Sequence, residues 1–259
     1  MEGSYMLNAI KQFLRKLFCP SKIPRTTSPE VNSRPKPTAF SSSRKREDLA
    51  AEHQLAIFMD KYLYANFPTK SLFSQIKRIH DKEEQLLGVD VEFTGTDGHV
   101  YCVDEKAQLY YLNQNLPTFA FELLFDRGPH ETIGWLCNQS LKTDFYMLIW
   151  PFAEQDSCNG ITWDKFTRLD CLLIQKRKLL NLFAQNGLSV EQMQKDARNI
   201  RANGQIGKIP IHGLTGIYYY ASDPARYREA PINIVVSKTI LLHLAQRRYI
   251  VTPEDITTE

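Results

Sequence analysis

Two aspartates and one lysine stand out in this chain because they are charged residues inside runs that are otherwise apolar. Asp90 lies in the run LLGVDVEF, and Asp104 and Lys106 lie in the run VYCVDEKAQL a short turn later. Burying such groups without partners is costly, so they must pair, bind a metal ion or face a cleft. Two carboxylates beside a lysine can hold a hard cation and stabilise charge on a phosphate, which is the chemistry of phosphodiester hydrolysis.

The two runs are predicted to be the strands of one β-hairpin. The segment TGTDG separates them, and its Asp-Gly pair is a strong hairpin signal. Side chains alternate across a strand, so Asp104, Lys106 and Gln108 share one face of the second strand. A turn centred on the middle of TGTDG places Asp90 opposite about Val103 or Asp104. The sequence therefore predicts that the two carboxylates and the lysine converge.

This arrangement resembles the PD-(D/E)xK nuclease superfamily. The segment GVD that ends at Asp90 matches the first motif, and the segment DEK from Asp104 to Lys106 matches the second. One departure is that valine stands before Asp90, at the position of the proline in the motif. The resemblance covers roughly residues 49–152 and implies a restriction-endonuclease-like core of helix and strands.

The resemblance also implies roles for individual residues. Asp90 and Asp104 would bind Mg²⁺ or Mn²⁺, with the backbone carbonyl of Glu105 as a further ligand. Lys106 would be the catalytic lysine beside the attacking water, and Gln108 matches a glutamine of some branches of the superfamily. The implied activity is that of a metal-dependent nuclease of bacterial or phage type. The alternative is an inactive nuclease-fold protein that serves as a nucleic-acid-binding or regulatory module.

Four further polar residues could belong to the site, and three of them also have a structural interpretation. Glu92 shares the face of Asp90 and is either a ligand or a solvated strand residue. Gln85 precedes the first hairpin strand and could reach the site. Asp60, on the first predicted helix, is either an extra acid of the site or an exposed helix residue. Glu122 either forms a structural ion pair or takes part in catalysis.

Basic residues in the C-terminal half indicate a surface for nucleic acid. Two groups are predicted to contact phosphates: Lys176, Arg177 and Lys178, and then Arg198, Arg201 and Lys208. Arg226 and Arg228 lie near Tyr218, Tyr219, Tyr220 and Tyr227. Basic residues among aromatic ones suit phosphate contacts and base stacking. The alternative is that they are solvated helix faces and core tyrosines. The predicted partners are nucleic acid, DNA rather than RNA, and a second copy of the chain.

The charge of the chain is divided unevenly. Residues 1–48 hold ten Lys or Arg against four Asp or Glu, a net charge of +6, so the remainder holds 22 against 25 and carries −3. Residues 1–18 are predicted to form a basic amphipathic helix, which either binds a membrane, a nucleic acid or a protein, or docks on the core of the protein. Residues 19–46 are rich in Pro, Ser and Thr and are predicted to be a flexible linker.

The remaining patterns predict a mixed α/β domain over residues 47–259, with a central mixed β-sheet flanked by helices. Its nuclease-like core would cover about 49–152, and 153–259 would be an extension.

Two features predict a cytoplasmic location. The five cysteines are scattered without a CxxC pair, and no stretch reaches the about 20 apolar residues that cross a membrane. The other predicted elements are a helix ending near Asn66, strands at 116–125 and 143–152, helices at 162–187 and 189–204, strands at 216–223 and 230–237, and a last helix at 238–249.

Overall fold

A computed structural model describes residues 42–67 and 73–259. It contains a seven-stranded mixed sheet, a five-stranded antiparallel sheet and several helices. The predicted α/β class with a mixed sheet is confirmed, and the second sheet is an element that the sequence pattern did not predict. The predicted helix 1–18 and nearly all of the linker 19–46 lie outside the described residues.

The elements are numbered in chain order. The helices are α1 (Ser42–Phe58), α2 (Lys82–Leu86), α3 (Lys176–Gln185), α4 (Val190–Ala202) and α5 (Lys238–Leu244). The strands are β1 (Phe73–Arg78), β2 (Val91–Gly95), β3 (Val100–Ala107), β4 (Thr118–Arg127), β5 (His130–Ile133), β6 (Phe145–Ala153), β7 (Phe166–Gln175), β8 (Gly207–Pro210), β9 (Ile217–Ala221), β10 (Ile232–Ser237), β11 (Arg247–Val251) and β12 (Ile256–Thr258).

The first helix begins before the predicted domain boundary at residue 47. Helix α1 begins at Ser42 and continues as a π-helical segment, Met59–Tyr64. The predicted helix up to about Asn66 is therefore confirmed. Its buried side chains recur at helical spacing and form one apolar face: Ala51, Leu55, Phe58 and Met59.

The larger sheet has the strand order β1-β2-β3-β6-β7-β11-β12. Neighbouring strands are antiparallel, with the exception of the parallel pair β3 and β6. The second sheet has the order β5-β4-β10-β9-β8 and is antiparallel throughout. The segment that leads from β3 to β6 forms β4 and β5, so the second sheet is part of the connection between two strands of the first.

The larger sheet is covered on both faces. One face packs on α1 and carries Phe93, Val103 and Met147. The other face carries Tyr146 and Trp150 and packs on the second sheet and the helices α3 and α4. Strand β6 is buried on both faces, which explains why its sequence is one continuous apolar run.

One predicted helix is wrong. Residues 162–187 form strand β7 and only then helix α3. Because β7 lies between β6 and β11 and is buried on both faces, its run of apolar residues lacks alternation and imitates a helical pattern. The prediction of one last helix over 238–249 is also incomplete, since α5 ends at Leu244 and β11 follows. Strand β1 was not predicted.

The other predicted elements are confirmed. The hairpin is β2 and β3, and the strands expected near 116–125 and 143–152 are β4 and β6. The helix expected at 189–204 is α4, and its first turn is capped by Ser189, whose Oγ accepts a hydrogen bond from the N–H of Gln192 at 3.2 Å. Among the described residues no helix is both long and apolar enough to cross a membrane.

The packing of the hairpin on α1 should dominate the stability of this region. Phe93 is fully buried, and its ring centroid lies 4.9 Å from that of Phe73 and 5.8 Å from that of Tyr64. We expect Phe93→Ala to lower the free energy of unfolding by about 3–5 kcal/mol in urea denaturation, because it leaves a cavity. Val100→Ala, on the same hairpin but 46% exposed, should cost less than about 1 kcal/mol. Equal losses in the two variants would contradict this account of the core.

Candidate active site

Asp90 is held at the start of β2 by the turn before it. Gly88 has a positive φ of 76°. Its carbonyl oxygen accepts a hydrogen bond from Thr143 Oγ1 at 3.0 Å, which ties the turn to the segment before β6. The N–H of Asp90 donates to the carbonyl of Val103 at 2.9 Å, so the backbone of Asp90 is bound to β3 just before β2 begins. The register Val91↔Val103 places Asp90 beside Asp104.

Asp104 and Lys106 point to the same face of β3, as predicted from strand alternation. Asp104 is only 2% exposed, and its Oδ1 lies 2.6 Å from Lys106 Nζ. The Lys106 side chain is 30% exposed, and its ammonium lies 5.4 Å from the ring centroid of Trp135. Burial lowers the pKa of Lys106, but the charge of Asp104 and its hydrogen bond outweigh burial, so the pKa lies above its usual value. Lys106 is therefore a cation at neutral pH.

The two aspartates influence one another directly. Burial, and then the negative charge of Asp104, raise the pKa of Asp90 from 3.8 to about 6. The charge of Lys106 opposes this rise, as does the N–H of Glu105, which donates to Asp90 Oδ2 at 2.8 Å. The structure thus brings together the three residues that the sequence predicted to converge, and it leaves one carboxyl poised to change its charge near neutral pH.

The oxygen atoms at this point fit a hard divalent cation. In a strand the N–H and C=O of one residue point to the same edge, so the carbonyl of Glu105 lies at the edge that carries Asp90. In the part of the chain that the structure describes, no group of three or more His, Cys, Asp or Glu is placed to hold a metal ion. Mg²⁺ commonly uses only one or two carboxylates and completes its shell with water and substrate phosphates. Asp90, Asp104 and the Glu105 carbonyl are oxygen donors of the kind that such a site uses.

The side chain of Glu105 points away from the site, to the opposite face of β3. Its carboxylate accepts hydrogen bonds from Arg78 at 2.7 and 3.2 Å and from the Tyr64 hydroxyl at 2.5 Å. Arg78 also binds Asp60 at 2.6 Å. Asp60 therefore lies in a network behind the strand and not beside the carboxylate pair. This network fixes the backbone of β3 at Glu105, whose N–H holds Asp90.

Gln108 lies on the same face as Lys106, two residues further along the chain. Its Nε2 donates to the carbonyl of Thr118 at the start of β4 at 2.8 Å. Its Oε1 is buried and has no hydrogen-bond partner among the described residues. The second sheet thus orients the amide and leaves its oxygen able to accept a hydrogen bond.

Glu122 approaches Lys106 from the second sheet. Burial, and then the charge of Glu229, raise the pKa of Glu122 from 4.5 to about 7, while Lys106 and the N–H of Trp135 oppose the rise. Both interpretations of Glu122, a structural ion pair and a catalytic role, stay predictions, and the only signal in the sequence was a carboxylate inside an apolar strand. The sequence did not predict that Trp135 and Glu229 act on Glu122, because this depends on contacts between distant segments.

Two other residues, whose roles the sequence did not decide, form an ion pair and a hydrogen bond outside the carboxylate pair. Glu92 forms an exposed ion pair with Lys77 at 3.2 Å. Gln85 donates from Nε2 to the carbonyl of Ile79 at 2.9 Å. Both contacts hold the β1–β2 connection together.

The first predicted basic group is split by the helix that carries it. Lys176, at the start of α3, lies close enough to Asp104 for that charge to act on it, although burial lowers its pKa overall. Arg177 is exposed, and Lys178 donates to Gln246 Oε1 at 3.0 Å. The three side chains therefore point in different directions, and only Lys176 lies near the carboxylate pair.

The second basic group is divided between two faces of the second sheet. Arg198 and Arg201 on α4 form ion pairs with acidic residues of β5 and β4 at 2.8 and 2.9 Å. Lys208 lies on the opposite face, with its Nζ 4.3 Å from the ring centroid of Tyr218. Contact of these six basic residues with nucleic acid stays a prediction.

Comparison of the chain with models of known families, with curated proteins and with solved structures finds no match. The interpretation of the site therefore depends on its own geometry.

The turn at Gly88 should be essential for placing Asp90. A Cβ at Gly88 would overlap Thr143 Oγ1, whereas a Cβ at Gly98, with a similar φ of 82°, would meet nothing within 4 Å. We expect both alanine variants to lose about 1–2 kcal/mol of stability from the left-handed backbone. Gly88→Ala should lose more, because Thr143 must also move. Urea denaturation of the two variants measures the difference, and equal losses would show that the turn tolerates a side chain.

The burial of Glu122 should make stability depend on pH. Its folded pKa of about 7 lies above the ordinary 4.5, so the protonated form stabilises the fold at low pH and this contribution is lost as pH rises through 7. We expect Glu122→Gln to match the wild type near pH 4 and to exceed its stability near pH 8 by about 1–3 kcal/mol. Urea midpoints across this range test the expectation, with exposed Glu254→Gln as control. A constant difference across the range would rule it out.

Proposed function

We propose that this protein is a metal-dependent nuclease that hydrolyses phosphodiester bonds of nucleic acid. The observation that carries the proposal is the meeting of Asp90, Asp104 and Lys106 on one face of the β2–β3 hairpin, with the Lys106 ammonium 2.6 Å from the buried Asp104 carboxylate. Two adjacent carboxylates with a neighbouring cation are a costly arrangement for a purely structural purpose. They match the needs of phosphoryl transfer to water.

The surrounding fold supports a restriction-endonuclease-like core. Helix α1 precedes the antiparallel strands β1, β2 and β3, and β6 joins the same sheet beside β3 in parallel. These elements span residues 42–153, close to the range 49–152 over which the sequence resembles the PD-(D/E)xK superfamily. The motif residues lie at the junction of β2 and β3, near the centre of this group of strands.

The side chains would divide the chemistry between them. Asp90, Asp104 and the Glu105 carbonyl would hold Mg²⁺ or Mn²⁺, and the ion would lower the pKa of water and stabilise charge on the phosphate. Lys106, a cation at neutral pH, would stabilise the negative charge that develops on the phosphoryl oxygens. Gln108, held by the carbonyl of Thr118, would stand at the position of the glutamine found in some branches of the superfamily.

The proposal includes DNA, in preference to RNA, as the substrate and a cytoplasmic location. The rival is a catalytically inactive protein of the same fold that binds nucleic acid or regulates a partner. The observation that favours the rival is that the described residues offer only two side-chain carboxylates for a metal ion. The two functions differ in whether a bond is cleaved.

Cleavage of plasmid and of single-stranded DNA in the presence of Mg²⁺ or Mn²⁺ tests the proposal. We expect the wild type to cleave and EDTA to abolish cleavage. Asp104→Asn should abolish it as well, because the substitution removes the ligand charge with little change in volume. Lys106→Met should lower the rate by about 10²–10³-fold, because it removes a cation that acts on the transition state.

The matched control is Asp255→Asn, which changes an exposed aspartate on the loop between β11 and β12. It should keep the wild-type rate. Cleavage that survives EDTA or Asp104→Asn would exclude the metal mechanism. A wild-type protein that binds nucleic acid and never cleaves it with either metal would favour the inactive module.

A further inference from the structure

The two faces of the second sheet have different surroundings. Its inner face is buried against the larger sheet and α4, and the Tyr219 hydroxyl on that face donates to Asp196 of α4 at 2.8 Å. Because side chains alternate along a strand, Tyr218 and Tyr220 must lie on the opposite, outer face. Tyr220 is 44% exposed there.

The register of the four strands β4, β10, β9 and β8 places the outer side chains in two rows. One row runs Glu122, Asn233, Tyr220 and Lys208. The next row runs Ala120, Val235, Tyr218 and Pro210. Ala120, Lys208 and Pro210 are exposed, so the outer face is open at both its β4 and β8 sides.

The chemistry of this face combines aromatic rings with an available cation. Tyr218 and Tyr220 are two residues apart on one strand, so their rings project about 6.5 Å from each other along it. Lys208 lies over the Tyr218 ring, with Nζ 4.3 Å from its centroid, and has no ion-pair partner among the described residues. The one aliphatic branched side chain in the two rows, Val235, is only 6% exposed, so the face offers little apolar surface to a protein partner.

The outer face carries one acidic residue that interacts electrostatically with the candidate active site. Glu122 ends the first row on β4, and it is the acid whose charge interacts with Lys106. Three strand spacings of about 4.8 Å separate it from Lys208 at the other end of the row.

We propose that the outer face of the second sheet binds a single-stranded segment of nucleic acid, with a base stacked on the exposed ring of Tyr220 and a phosphate on Lys208, which lies over the Tyr218 ring. The identity of the ligand rests on the proposed nuclease function. Single strands fit because their unstacked bases expose the flat faces that tyrosine rings can stack on, whereas a duplex keeps those faces covered.

Binding of the full chain to fluorescent single-stranded oligonucleotides, followed by anisotropy in EDTA, tests this proposal without any cleavage. Tyr220→Ala should weaken binding about five- to 100-fold, the loss expected for one stacked base, and Tyr220→Phe should retain it because the ring remains. Lys208→Ala should reduce the slope of log affinity against log salt by about 0.7. Lys195→Ala, which removes an exposed lysine from α4, is the matched control and should leave the slope unchanged.

Several results would overturn the proposal. One is that the Tyr220→Ala and Lys208→Ala proteins bind single-stranded oligonucleotides with the affinity of the wild type. Another is a duplex that binds as tightly as the single strand and loses the same affinity in both variants. A wild-type dimer that dissociates on Tyr220→Ala, seen by light scattering, would show that the face joins two copies of the chain.

The failure of this proposal can be told apart from the failure of the nuclease function. If the protein binds single strands through Tyr220 but never cleaves them with Mg²⁺ or Mn²⁺, the binding face is supported and the nuclease function is wrong. If the wild type and Tyr220→Ala cleave single strands with the same KM, the nuclease function is supported and the binding face is wrong.

Discussion

The ion pair between the buried Asp104 carboxylate and Lys106 is the constraint on which the arrangement of this protein depends. A carboxylate that is 2% exposed needs a nearby counter-charge, and here the counter-charge comes from two residues along the same strand. Asp90 adds a second carboxylate beside Asp104, and the pKa of Asp90 is raised as a result. Such a concentration of charge opposes folding, so the apolar residues on both faces of the larger sheet must supply the stability that it removes.

The rigidity of the site comes from contacts outside it. On one side the turn at Gly88 is bound by Thr143, and on the other the Arg78–Glu105 pair holds β3 from behind. Neither contact adds a group to the chemistry, but together they set the position of Asp90 against the strand that carries Asp104. The second sheet also acts on the site, since Thr118 orients Gln108 and the charge of Lys106 lowers the pKa of Glu122 against the effect of burial.

The parts of the fold and site that sequence reasoning could predict are those fixed by short-range geometry. Strand alternation and one tight turn were sufficient to bring Asp90, Asp104 and Lys106 together. The second sheet could not be predicted, because β4 pairs with β10 across more than a hundred residues. A local pattern of apolar and polar residues does not indicate which distant strand is the partner. For the same reason the role of Glu122 stayed open, although β4 itself was recognised as a strand. Strand β7 was missed because burial on both faces removes the alternation that identifies strands.

The connection between the parallel strands β3 and β6 has a consequence for how the protein is made. Because that connection contributes β4 and β5 to a sheet whose central strand is β10, an emerging nascent chain completes the hairpin motif long before it completes the surroundings of that motif. A polypeptide that stops before Ile232 leaves one edge of β4 unpaired and exposed, a state open to aggregation. The site is therefore enclosed only after β10 has been translated, and products that stop before Ile232 should be inert and short-lived.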